Sequence, residues 1–158
     1  MQSYGHDIEG TWLIDRAAEV LEDNDLINST HAYTLKIAEN IHKSAYSPLG
    51  VINETVKGIT DGGRVWWVQA ESIVGFYNAY GKTGDSKYLK AAQDLFNYIE
   101  KFLVDKKENS EWNWKLDVNN KPIDNMPIVE PWKCPYHNGR MCIEIIERMA
   151  KRCERKVS

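Results

Sequence analysis

Apolar residues recur at helical spacing in successive pairs of segments, and this pattern constrains the 158-residue chain more than any other feature. Ile8, Trp12, Ile14, Ala18 and Leu21 predict a first helix after Asp7, ending at the polar turn Glu22-Asp23-Asn24-Asp25. Leu26, Leu35, Ala38, Ile41 and Ala45 mark the buried side of a second helix, stopped at Ser47-Pro48-Leu49-Gly50. Residues 51–63 read as an irregular loop or a short hairpin. Val65 to Tyr80 predicts a third, strongly apolar helix, and Gly81-Lys82-Thr83-Gly84 separates it from a fourth, capped by Asp85 and running to about Val104. Trp12 and Trp67, like the turn aspartates Asp25 and Asp85, recur at similar intervals, as repeated helix pairs would.

The remainder differs in character. Trp112, Trp114, Leu116 and Val118 alternate with polar residues before the turn Asn119-Asn120-Lys121-Pro122, which predicts a small β-hairpin near residues 111–123. A proline-bearing segment from Met126 to Pro135 leads to a last helix from about Asn138, with Met141, Ile145 and Met149 on one face and a fraying basic tail, Lys151 to Lys156. This last helix has no partner in the chain. Stacked hairpins bury a continuous core only when neighbours cover both ends, so the expected organisation is a single partial domain over residues 1–158.

Composition narrows the partners. A net charge of −3, from 20 basic and 23 acidic residues without a long run of either sign, argues against nucleic acid or an anionic membrane as a partner. There is neither an export signal nor an apolar run long enough to cross a bilayer. Cys134, Cys142 and Cys153 match no zinc or redox spacing, and reduced thiols in a cytoplasmic protein account for them.

The chemistry lies in histidines at helix starts. Ser3-Tyr4-Gly5-His6-Asp7-Ile8-Glu9 and Trp132-Lys133-Cys134-Pro135-Tyr136-His137-Asn138-Gly139-Arg140 each place an imidazole where a pocket rim would lie. With an unperturbed pKa of about 6.5, two imidazoles facing one carbon can exchange its proton from opposite sides. Glu9 falls near His6 on the first turn, where a carboxylate can orient an imidazole. Trp12, Trp66, Trp67 and Trp132, from six tryptophans in all, suit the C–H faces of sugar rings. Each of these residues also has a plainer reading, as a helix cap, a surface histidine or a core aromatic. His31 and His42 are taken as structural, since they sit about 16 Å apart along one helix. Asp7 reads equally well as a cap, and Arg140, Glu144 and Arg148 as an exposed ion-pair ladder. Glu71, in the most apolar helix, is expensive to bury without a partner and reads as pocket lining.

Three of these motifs together resemble the cellobiose 2-epimerases of the N-acylglucosamine 2-epimerase family: Ser3 to Glu9 with Trp12, Val65-Trp66-Trp67-Val68-Gln69-Ala70-Glu71, and Pro131 to Arg140. The likeness runs along the whole chain. Relatives with N-acylglucosamine activity look different around the last motif, so the resemblance favours the disaccharide branch. It implies an all-α fold, the C-terminal part of an (α/α)6 barrel of helical hairpins, and cofactor-independent inversion at C2 of the reducing-end glucose of cellobiose, with lactose and related oligosaccharides as further substrates. His6 and His137 match the family's catalytic histidines. Glu9, Trp12, Trp66, Trp67, Glu71 and Trp132 match positions that hold the sugar or support the histidines. No metal or other cofactor is implied. The family's arginine from the N-terminal half has no counterpart here, so the chain alone is expected to be inactive and to self-associate through exposed apolar helix faces. Two readings stand beside this one. A glycoside hydrolase on a similar barrel would use Asp7, Glu9 or Glu71 as paired carboxylates, and a sugar-binding or structural fragment would do no chemistry. A metal site of His6, Asp7, Glu9 and His137 matches no strong template.

Overall fold

In the computed structural model, which describes residues 1–157 and side chains through Glu154, helices dominate and short strands connect them. Helices α1 (Tyr4–Leu21) and α2 (Asn24–Ser44) form one hairpin, and α3 (Trp66–Thr83) and α4 (Ser86–Tyr98) a second, with a π-helical turn, Ile99–Leu103, extending α4. Helix α5 (Tyr136–Val157) follows a long irregular segment.

α3 is the central element. It packs against α1 on one side, α5 on another, and α4 along its outer face. Twelve of its residues are buried, including the polar Gln69, Glu71, Ser72 and Asn78, as expected of a helix with neighbours on several sides. α1, α3 and α5 therefore form an inner wall, backed by α2 and α4. Two glycines permit the close crossing of α1 and α3: a Cβ on Gly5 would lie 2.5 Å from the Trp67 ring, and one on Gly75 would lie 2.5 Å from the Ile8 side chain.

Caps explain where the helices begin. Asp23, not Asp25, caps α2, accepting the N–H groups of Asp25 and Leu26. Asp85 caps α4 through the N–H of Lys87. α3 continues beyond the expected end at Tyr80 and stops at Gly84, whose φ of 70° is left-handed. α1 begins at Tyr4, earlier than its apolar spacing indicates, because Gln2–Ser3 (β1) is held as an edge strand until the helix opens. α5 likewise begins at Tyr136 and runs unbroken through the basic segment expected to fray.

Residues 51–63 do contain a hairpin, formed by β4 (Glu54–Val56) and β5 (Ile59–Asp61), and β1 pairs with β4 to make a three-stranded sheet in the order β1-β4-β5. Strands β2 (Tyr46–Ser47) and β3 (Gly50–Val51) pair with each other. Gln69 on α3 extends that pair: its side chain accepts from Val51 N at 2.8 Å and donates to Val51 O at 2.8 Å. The hairpin expected near 111–123 is narrower than predicted. It is a tight turn in which Asp117 N donates to Lys121 O and Ile123 N to Lys115 O. Its first arm, β7 (Lys115–Leu116), pairs with β6 (Arg64–Val65), while Trp112 bridges to Val104.

Burial also corrects the apolar faces read from spacing. Ile8, Trp12 and Ala18 are core, but Ile14 and Leu21 are exposed, and so is Met149 on α5. Leu13, Ile14, Val20 and Leu21 lie open along α1, and Ile143, Ile146 and Met149 along α5. Among the described residues, no helix is long and apolar enough to cross a membrane.

Candidate active site

The inner helices open at the same end of the wall, and their first turns carry the candidate residues. His6 stands on the first turn of α1, Trp66 and Trp67 on that of α3, and His137 on that of α5. Their rings meet. Trp67 packs face-on against His137, with centroids 5.3 Å apart and planes at 29°, and lies 4.8 Å from His6 in a tilted contact. The indole of Trp67 thus joins two imidazoles from helices at opposite edges of the wall. Three helix N-termini converge here, an environment that favours negative charge on a bound group.

The two histidines are held differently. His6 is exposed, and its Nδ1 lies 2.7 Å from the hydroxyl of Ser3, the residue preceding α1. Glu9, expected to orient His6, instead receives the guanidinium of Arg140. His137 is buried, with Nδ1 2.7 Å from Glu71 Oε1 and the edge of the Trp66 indole packed against its ring at 5.4 Å. Glu71 anchors this half of the site. Its Oε2 accepts Trp12 Nε1 at 2.9 Å, and its Oε1 also accepts Arg140 at 2.7 Å. Burial works against the Glu71 carboxylate, but the bonds from His137, Arg140 and Trp12 prevail and hold its pKa below the ordinary value. The counterpart holds for Arg140, whose burial is outweighed by Glu71 and Glu9, raising its pKa.

Trp12, Trp66, Trp67, Glu9 and Glu71 are therefore brought together with both histidines, in unequal roles. Trp12 is buried beneath Glu71, with the Arg140 guanidinium 5.1 Å from its ring, so it supports a carboxylate and presents no open face. Trp66 is wholly buried behind His137. Trp132 stands apart, 78% exposed and with no hydrogen bond or ring contact among the described residues. Asp7 caps nothing: the residue before α1 is Ser3.

Two features escaped the reading of the sequence. Arg140 belongs to the site, not to an exposed ladder with Glu144 and Arg148; those two pair with each other, and Arg148 also reaches Asn78. The signal was present, since two acids destined for partial or full burial require a cation. The second is Lys133, 1% exposed, which donates to Ile128 O at 2.7 Å and to Glu111. Glu111 also accepts Asn138 Nδ2, so this cluster ties the segment before α5 to the neighbour of His137.

Ligand atoms of Glu9, Glu71 and His137 lie within 4.8 Å of one another, a spacing that a divalent cation can span. The guanidinium of Arg140 already bonds both carboxylates, so one of their two negative charges is offset within the protein.

The site is thus a pair of imidazoles presented by helical hairpins, one of them backed by a buried carboxylate. A profile of the N-acylglucosamine 2-epimerase family matches residues 2–138, and the chain belongs to that family. It is 53% identical over 93% of its length to cellobiose 2-epimerase of Dictyoglomus turgidum, and 48% identical over 94% to that of Ruminococcus albus. In each case it spans 38% of the relative's length. Its fold matches a solved sugar epimerase from a ruminal bacterium with a TM-score of 0.91 and 49% identity, over 92% of this chain and 38% of that one. Cellobiose 2-epimerase of Bacillus thermoamylovorans matches with a TM-score of 0.84 and 44% identity, over 92% of this chain and 37% of that one. The hairpins are thus a portion of an α/α barrel.

Proposed function

We propose that this chain is the C-terminal portion of a carbohydrate 2-epimerase and carries both of its proton-handling groups, His6 and His137. The observation that carries the proposal is their placement: two imidazoles on separate helices, each in contact with the single indole of Trp67. The proposed reaction opens the reducing-end glucose of cellobiose or a related β-1,4-disaccharide. One histidine takes the C2 proton beside the aldehyde, leaving an enediolate, and the other delivers a proton to the opposite face of C2, giving mannose. Steps of this kind each contribute roughly 10²- to 10⁴-fold. The converging helix N-termini supply positive potential for the enediolate. Trp67 and the exposed Trp132 offer faces to the sugars, while Trp12, Trp66, Glu9 and Glu71 hold the histidine side in place.

A glycosidase fits this site less well. Hydrolysis requires one carboxyl kept protonated as a general acid, whereas Glu71 is held ionised by three donors.

Because the exposed apolar side chains of α1 and α5 lie along both edges of the wall, the 158-residue chain alone is expected to self-associate and to turn over no substrate. Mixing it with the part of the Dictyoglomus turgidum relative outside the matched segment, then adding cellobiose in heavy water, tests the function. The expected result is glucosyl-mannose carrying deuterium at C2, abolished by His6→Asn or His137→Asn. Release of free glucose, or epimer formed without deuterium at C2, would overturn the proposal.

A further inference from the structure

We propose that Arg140 is a positioning residue that acts through Glu9, Glu71 and His137: its guanidinium ties the two carboxylates together and offsets one of their charges, so that His137 keeps a proton on Nδ1 and presents Nε2 as its basic nitrogen. The catalytic meaning of this inference rests on the epimerase reading above, but the protonation state is measurable without turnover.

The geometry begins with Glu71, 1% exposed and ionised, which can only accept hydrogen bonds. His137 Nδ1 lies 2.7 Å from Glu71 Oε1, so Nδ1 must be the protonated nitrogen, and in the neutral ring the free lone pair falls on Nε2. Arg140 binds the same Oε1 at 2.7 Å and also pairs with Glu9. Its Nη2 comes within 3.3 Å of His137 Nδ1. Both nitrogens are donors, so this approach is a contact between a cation and a ring that becomes cationic when protonated.

Charge then decides what His137 can do. Each carboxylate beside the ring favours the imidazolium, which has no lone pair with which to take a proton. Arg140 cancels one of those charges at close range. On α1, His6 meets the Trp67 indole that also packs on His137, and on α5 the phenol ring of Tyr136 meets His137 in a tilted contact with centroids 3.9 Å apart. Lys133, 5.4 Å from the Trp66 ring, is matched by Glu111. Both carboxylates are held by one nitrogen of the guanidinium, Nη2.

The test uses the reconstituted enzyme with the 158-residue chain labelled with ¹⁵N-histidine, its ring nitrogens followed by two-bond ¹H–¹⁵N correlation from mildly acidic to mildly alkaline pH. The wild-type His137 is expected to show the Nδ1–H tautomer. Arg140→Met should raise its titration midpoint by about one unit or more, Arg140→Lys should leave it closer to wild type, and Glu9→Gln combined with Arg140→Met should bring it back down. Glu9→Gln alone, at a half-buried position, gives the opposite sign, a lowered midpoint, and provides the measurement should Arg140→Met fail to fold. An Nε2–H tautomer in the wild type, or midpoints that do not move in these directions, would overturn the inference. Absence of C2 exchange in the reconstituted enzyme would overturn the epimerase reading and leave the titration result standing.

Discussion

Replacing Glu71 by Gln should be among the most damaging isosteric changes available to this protein. Glu71 is 1% exposed and accepts from Trp12 Nε1, His137 Nδ1 and Arg140 Nη2. An amide retains one accepting oxygen and turns the other position into a donor, so at least one buried N–H loses its acceptor and faces another donor. An unmade buried bond costs about 1–3 kcal/mol, and breaking a buried ion pair about 3–5 kcal/mol. Arg140 keeps Glu9 and its side chain is 32% exposed, which places the expected loss near the overlap, about 3 kcal/mol. In a domain of this size that corresponds to a fall in Tm of roughly 6–12 °C. Urea unfolding followed by tryptophan fluorescence measures it, with Trp12 beside the substitution as a local reporter. The pH dependence gives a second check. The folded pKa of Glu71 lies below its ordinary value of 4.5, so its contribution is fully present above that pH and is lost as pH falls through the depressed folded pKa. The stability gap between wild type and Glu71→Gln should therefore shrink as pH falls below about 5. A loss below about 1 kcal/mol, or a gap that widens as pH falls below about 5, would refute the view that Glu71 is a buried, ionised anchor.

Other substitutions separate structural from chemical roles. Gly5→Ala places a Cβ 2.5 Å from the Trp67 ring and 2.7 Å from Val68, so it should cost about 1–3 kcal/mol by overpacking and displace the indole that touches both histidines; loss of the His6 ring-current shift in the proton spectrum would report the displacement. Asp23→Ala should remove about 1 kcal/mol through the lost α2 cap, whereas Asp25→Ala, which deletes no capping oxygen, should change stability by less than half of that in the same denaturation assay. In the reconstituted enzyme, His6→Asn and His137→Asn should each lower C2 deuterium exchange by roughly 10²-fold or more while leaving the far-ultraviolet circular dichroism unchanged.

Most of the fold was legible because its signals are local. Helical periodicity, Asp and Gly at the turns, and a proline-bearing approach to the last helix place all five α-helices in order. The misplacements have local causes as well. α1 starts early because β1 pairs with β4, and the turn aspartate that caps α2 is Asp23 because its oxygen reaches the N–H groups of Asp25 and Leu26. Faces were harder to read. Ile14, Leu21 and Met149 fit an apolar period yet lie exposed, since periodicity shows that a face is apolar but not which neighbour covers it.

By itself the sequence determined the residue types and their helix positions: histidines at two helix starts, tryptophans beside them, and an acid in the most apolar helix. Only the tertiary structure decided the pairings. Glu9 lies one turn from His6 in the chain, yet its partner is Arg140 on α5; Glu71 joins Trp12 on α1 to His137 on α5. The physical reason is that helical spacing governs neighbours three and four residues apart, whereas partners on different helices are chosen by the crossing of α1 and α3 at Gly5 and Gly75, by the packing of α5 on α3, and by the cost of leaving a buried charge unmatched.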